Sequence, residues 1–145
     1  MNKKYLPWII FGLALIGFAL AGYTWLITQN LASSSICTFG QEFDCDIVTR
    51  GPYSKIYGIS VSLIGMIGYG FMALAALLRH WFREDRGLDY FLLAAAAGGL
   101  AFSFYLTGLE AFVIHSWCLF CVSSQIIILL IFAAAVRINW LLFKK

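Results

Sequence analysis

Two pairs of cysteines carry most of the reactive chemistry in this chain. Cys118 and Cys121 form a Cys-x-x-Cys unit within "HSWCLFCVSSQ", at the mouth of an apolar run, with His115 and Trp117 just ahead of them. Cys37 and Cys45 bracket "TFGQEFD", an interval with a glycine that can fold back and bring its ends together. Thiols so spaced can clip a zinc ion, close structural disulfides, or exchange electrons, one thiolate attacking while its neighbour resolves the mixed disulfide. The choice depends on which side of which barrier the sulfurs face.

The elements that position them are membrane helices. The chain is 62% hydrophobic and 12% charged, against about 25% charged residues in soluble domains. Its formal charge of +3 is too small to point to nucleic acid. Four apolar segments, near 5–27, 56–78, 88–109 and 117–136, are charge-free except near their ends. Each approaches the roughly 20 residues that cross about 30 Å of hydrocarbon. Backbone groups find no water there, so the segments are expected to be helices. The expected fold is an all-α integral membrane protein, a four-transmembrane-helix bundle in one domain over 1–145, with an extracytoplasmic loop at 28–55 between the first two helices.

Basic residues set the orientation. Lys3, Lys4, Arg79, Arg83, Arg86, Arg137, Lys144 and Lys145 fall on one side, and only Arg50 and Lys55 on the other. By the positive-inside rule both termini are cytoplasmic. The first segment is too long for a cleaved signal's apolar region, and no clear A-x-A site follows it.

All four cysteines then lie on the external face, where disulfides persist. A four-thiolate zinc site fits poorly, because only one pair has knuckle spacing and it enters an apolar helix; no metal is expected. Two inert disulfides remain an alternative. A bridge between residues three apart in a bilayer-fixed helix, however, closes a very short unfolded loop and stabilises little. On a helix, Cys118 and Cys121 share a face, with Cys121 about 4.5 Å deeper. One sulfur then meets the interface and the other looks into the bundle, beside a lipid-soluble two-electron carrier. A quinone of ubiquinone, menaquinone or vitamin K type fits that place, and no motif for haem or dinucleotide binding is present. The small residues of "AAAAGGLAFS" at 94–103, with Gly65, Gly68 and Gly70, suit close helix packing and do not by themselves make a cavity.

The ordered pattern Cys37-x7-Cys45, then "YGISVSLIGMIGY", then Cys118-Leu-Phe-Cys121 entering the last helix resembles the vitamin K epoxide reductase family over nearly the whole chain. DsbB-type oxidases also have four helices, four cysteines and quinone, but place their Cys-x-x-Cys in the first external loop. The resemblance implies that Cys121 is the thiolate beside the quinone and that Cys118 exchanges with the loop pair. It casts Cys37 and Cys45 as a shuttle, passing electrons from a reduced thioredoxin-like, DsbA-like dithiol protein through a transient Cys45–Cys118 bridge. Some members carry a fused thioredoxin-like domain; here the chain ends at Lys145, so a separate partner is expected. The implied function is a quinone-dependent thiol oxidoreductase supporting disulfide formation. Vitamin K quinone or epoxide reduction is one alternative, and a non-enzymatic membrane protein with structural disulfides another. No charged residue lies mid-helix to mark an ion path. The location expected is a prokaryotic plasma membrane, with the endoplasmic reticulum left open.

The chain departs from the family pattern in places. The family's serine or threonine after the second loop cysteine has no clear match; Thr49, Arg50 and Gly51 are nearby. The quinone-bonding asparagine before the second helix aligns with Ser54, and a tyrosine of animal members corresponds to Gln125, which can bond either a quinone carbonyl or a neighbouring helix. "GIPxS" appears as Gly58-Ile59-Ser60-Val61-Ser62, without the proline. His115 is expected to anchor at the interface or to serve Cys118, and Glu110 to be wet, with a proton role as its alternative. Asp44 and Asp46 flank Cys45 with negative charge. Tyr53, Trp25 and Phe39 are candidates to cover a quinone opening. The charges of 79–89 are expected to serve topology.

Overall fold

The structure is a computed structural model that describes residues 2, 4–33, 35, 36, 40, 42–82 and 85–144. Among these, five α-helices follow one another: α1 (Leu6–Thr28), α2 (Cys45–Arg50), α3 (Val61–Trp81), α4 (Arg86–Leu109) and α5 (Leu119–Phe143). All but the short α2 are long and apolar enough to cross a membrane. The protein is an all-α membrane bundle.

Two helix starts differ from the sequence expectation, each for a local reason. The second crossing begins at Val61 rather than near residue 56, because Lys55–Ile56 (β1) pairs antiparallel with Ile59–Ser60 (β2). The two residues between them, Tyr57 and Gly58, have φ of 51° and 83°. Positive φ at both centres makes the two-residue turn whose twist suits a hairpin. The last crossing begins at Leu119 rather than 117, and it runs on to Phe143 with Arg137 exposed. A long cationic side chain near a helix end can reach the interface while its stem stays against apolar surface.

Helix α1 lies against α3 and α5, α4 lies against α5, and α3 meets α4 more sparsely. Leu6, Ile10 and Ala14 of α1 share a buried core with Met72 and Ala76 of α3, Leu92 and Ala96 of α4, and Ile128 and Ile131 of α5. Gly17 is required where α1 crosses α3. A Cβ there would sit 2.5 Å from Tyr69 Cε1. The Tyr69 hydroxyl donates to the Ser124 carbonyl oxygen at 2.9 Å, carrying the α1–α3 contact across to α5.

At the end of the bundle carrying the α3–α4 turn, Arg79 Nε pairs with Asp89 Oδ1 at 2.5 Å, with the two side chains 7% and 1% exposed. Asn139 Nδ2 donates to the carbonyl oxygens of Asp89 (3.2 Å) and Ala135 (3.0 Å). The charges of 79–89, read from the sequence as serving topology, have a further task here. Two of them form a buried ion pair joining α3 to α4, and α5 joins it through Asn139.

Candidate functional site

Helix α2 is held over the opposite end of the bundle by a few specific contacts. Asp44 caps α2, its Oδ1 accepting from the N–H of Asp46 at 2.9 Å and of Ile47 at 3.4 Å. An acidic cap satisfies orphan donors at a helix start, so Asp44 has a structural task beside Cys45. Thr49 Oγ1 donates to the Cys45 carbonyl at 2.5 Å, and Thr28 Oγ1 reaches the Thr49 carbonyl at 3.4 Å, fastening α2 to the end of α1. Gly51 ends α2 where any Cβ would collide with the Ile47 carbonyl oxygen. Asp46 pairs with Arg50 at 3.3 Å on the exposed side.

A second join places the sulfurs. Phe43 and Trp117 form a parallel bridge, and the Trp117 N–H donates to the Glu42 carbonyl at 2.9 Å. From there one segment runs two residues to Cys45 and the other one residue to Cys118. Cys45 Sγ and Cys118 Sγ lie 3.3 Å apart, both fully buried, with Val48, Phe120 and Cys121 packed around them. Cys45 is disulfide-bonded, whereas Cys118 and Cys121 are free thiols. Cys37 lies outside the described residues, as does Phe39.

Cys118 is not within the helix, where the sequence places it, but is its N-cap, with φ −102° and ψ 117°. Cys121 stands three residues on, in the first turn. That geometry pulls the Cys118 thiol below its ordinary pKa. The largest cause is a hydrogen bond from the Cys121 thiol; burial opposes it, the N–H groups of Cys121 and Phe120 add to it, and the charge of Glu110 works against it. A helix N-terminus stabilises a thiolate in the way it stabilises any anion.

Glu110 is a correction. The sequence places it in water, yet it is 3% exposed. Helix α4 passes at Leu109 into a π-helical turn, Glu110–Ile114, which ends at His115 in the left-handed region (φ 55°). The wider turn aims Glu110 inward, and its Oε2 accepts from the Cys118 N–H at 3.4 Å. His115 itself is exposed.

Below the sulfurs, between the sparsely touching α3 and α4, opens a cavity of about 490 Å³. Its walls are mainly apolar, and Cys121 and Glu110 both line it. Gly65, Gly68, Gly98 and Gly99 line it too, so the small residues form cavity wall as well as packing surface. Ser54 and Tyr53 are part of the wall, with the Ser54 hydroxyl donating to the Gly51 carbonyl at 2.7 Å. Gln125 and Trp25 are not among the described lining residues; Gln125 Oε1 accepts from Thr107 Oγ1 of α4 at 2.7 Å. Thr49 is 4% exposed and lines the cavity. Sequence reasoning found no clear hydroxyl at this place, because only the fold of α2 over α1 turns Thr49 inward. Among the described residues no cluster of side chains suits a metal ion.

A volume of this size with apolar walls suits a flat, lipid-soluble ring system, and the free thiol of Cys121 on its wall supplies a reductant. Comparison with curated proteins finds no match. The family model for the vitamin K epoxide reductase family matches residues 8–136, from within α1 to within α5 and including every cysteine. The chain therefore belongs to the vitamin K epoxide reductase family, membrane oxidoreductases of thiols and quinones in which quinone is the general electron acceptor.

Proposed function

We propose that the protein passes two electrons from a reduced thioredoxin-like dithiol protein, through Cys37 and Cys45 and then Cys118 and Cys121, to a quinone in the cavity, so that the partner can install disulfides in exported proteins. The observation that carries this reading is the 3.3 Å approach of disulfide-bonded Cys45 to free Cys118, with Cys121 on the cavity wall.

The steps balance. The partner's dithiol reduces the Cys37–Cys45 disulfide and leaves oxidised. Cys45 thiolate then attacks Cys118 Sγ of the oxidised inner pair; a Cys45–Cys118 bond forms and Cys121 departs as thiolate. Cys37 attacks Cys45 Sγ and frees Cys118. The product has Cys45 in a disulfide and Cys118 and Cys121 as thiols, the arrangement of sulfurs described above, which supports this order. Burial of both exchanging sulfurs keeps bulk water from the mixed disulfide. The inner pair then closes its own S–S bond, giving up two electrons and two protons. A quinone bound beside Cys121 supplies the sink for both. Ser54 is the wall residue we assign to orient it, with Gln125 acting from behind the wall through Thr107. With both termini cytoplasmic, the exchange takes place on the external side of a membrane that we read as a prokaryotic plasma membrane.

The test is quinone absorbance in purified protein supplied with a reduced thioredoxin-like protein and a soluble quinone analogue. Wild type turns over, and Cys121→Ala does not. Cys37→Ala keeps activity with a small dithiol and loses it with the protein dithiol. Absence of turnover in wild type with any dithiol overturns the reading and leaves four structural cysteines on a family fold.

A further inference from the structure

The inner pair loses protons as well as electrons when it closes, and the described cavity wall beside it holds one carboxyl. Glu110 is 3% exposed, lies next to the Cys121 thiol, and has an oxygen 3.4 Å from the Cys118 nitrogen. Among the described residues it forms no ion pair; the two present are Arg50–Asp46 and Arg79–Asp89. A carboxyl taken out of water without a cation is costly to keep charged, and a π-helical turn, a feature frequent at functional sites, is what turns it inward. A leucine or alanine would fill this corner without that cost. What a carboxyl adds is a proton that can come and go.

Resting on the quinone-reduction reading above, we propose that Glu110 is the proton carrier between Cys121 and the quinone. As Cys118 and Cys121 form their S–S bond, two electrons and two protons leave the pair. Glu110 gives its proton to a quinone oxygen and takes the proton of Cys121 Sγ in its place, ending each turnover as it began. The other proton taken up by the quinone comes from water on the external side, where Cys118 has released its own. The adjoining charged groups are otherwise engaged: Asp46 and Arg50 of α2 pair with each other, and His115 is exposed. Cys118 and Cys121 are the titrating groups that face Glu110.

Two measurements test this. In the first, quinone reduction is compared in wild type, Glu110→Gln and Glu110→Asp in ordinary and heavy water. Loss of a positioned proton carrier is expected to slow reduction about 10²–10⁴-fold in Glu110→Gln, with Glu110→Asp partly restoring both rate and pH profile. In the second, the inner pair is oxidised with a small-molecule disulfide and no quinone, and the carboxyl stretch is followed by infrared difference spectroscopy. Wild type should show a carboxyl band that changes with oxidation and is missing in Glu110→Gln. Wild-type rate and pH profile in Glu110→Gln overturn the proposal, and so does a wild-type carboxyl band indifferent to the state of the pair. If Glu110→Gln fails to fold, Glu110→Asp makes the assignment, because its carboxyl band is displaced from that of wild type. A wild type that reduces no quinone while its carboxyl band follows the pair overturns the functional reading and the delivery to quinone, leaving only the coupling of Glu110 to Cys121.

Discussion

Cys45 Sγ and Cys118 Sγ stand 3.3 Å apart across 73 residues of sequence. The approach depends on backbone outside the helices, the Phe43–Trp117 bridge and the Trp117–Glu42 hydrogen bond, rather than on the helix packing. If the two sulfurs exchange, removing both resolving thiols must strand them. The Cys37→Ser/Cys121→Ser double variant is expected to form a Cys45–Cys118 disulfide under mild oxidation, seen as a cross-linked peptide pair by mass spectrometry and lost on reduction. Failure to cross-link in a folded protein would falsify direct exchange between the two pairs.

The pH dependence of that exchange has a definite sign. Cys118 is held below its ordinary pKa chiefly by the Cys121 thiol, so more of it is thiolate at neutral pH than an ordinary cysteine would show. Taking Cys121 away removes the largest lowering cause and moves the Cys118 pKa up. The rate at which Cys118 attacks a small disulfide, measured with Cys37 and Cys45 replaced by serine, rises with pH to a plateau. In the further Cys121→Ala variant the midpoint should move to higher pH, and the rate at neutral pH should fall. Part of the loss is offset, because a more basic thiolate is the better nucleophile. A midpoint that stays put or moves down assigns the effect to the N-cap amides alone.

What was legible beforehand followed from physics acting along the sequence. Apolar runs long enough to cross a bilayer marked the four crossings, since length and hydropathy are local properties. The Cys-x-x-Cys meets the start of the last of them, with Cys118 as the cap and not within the helix. The rest depended on contacts no local pattern records. Glu110 stands at the end of an apolar run, where a charge is ordinarily solvated, and only the π-helical turn aims it inward. Thr49 becomes cavity wall because α2 folds over α1. Arg79 and Asp89 looked like turn charges, and they meet only because α3 and α4 bring them together, 10 residues apart, in a dry corner.

That corner yields a stability prediction separate from the chemistry. Asp89 is 1% exposed, and its Oδ2 has no hydrogen-bond partner among the described residues, so its charge relies on Arg79. Breaking a buried pair by removing one partner costs about 3–5 kcal/mol, whereas replacing both with apolar residues is often close to neutral. Arg79→Leu should therefore lower the unfolding transition in detergent strongly, and Arg79→Leu/Asp89→Leu should recover most of the loss. The exposed Asp46–Arg50 pair serves as the contrast. Its side chains are 43% and 40% exposed, and Asp46→Asn should change stability little, as surface pairs generally do. A double variant as unstable as the single one would place the cost in packing instead of charge.

The cavity separates binding from scaffolding among the residues assigned to the quinone. Gly68 lines it, and a Cβ built there meets nothing within 4 Å. Gly68→Leu therefore projects a side chain into open space, and it also replaces a helix-interior glycine, which by itself favours the helix by up to about 1 kcal/mol. The fold should hold while the cavity shrinks. The expected result is a raised KM for the quinone analogue, with Cys45–Cys118 cross-linking unchanged in the Cys37→Ser/Cys121→Ser background. Gln125 should behave differently. Its Oε1 is engaged by Thr107 Oγ1 at 2.7 Å, and that hydroxyl can turn wholly to the Ser103 carbonyl at 3.0 Å, so Gln125→Leu should cost no more than about 1 kcal/mol of stability. Ser54→Ala removes a polar group from the wall itself and should raise KM with little change in unfolding. If Gln125→Leu raises the quinone KM as much as Ser54→Ala does, Gln125 must turn from Thr107 to the ligand on binding. If Gly68→Leu leaves KM unchanged, the quinone sits elsewhere, and Cys121 reaches it by another face of α5.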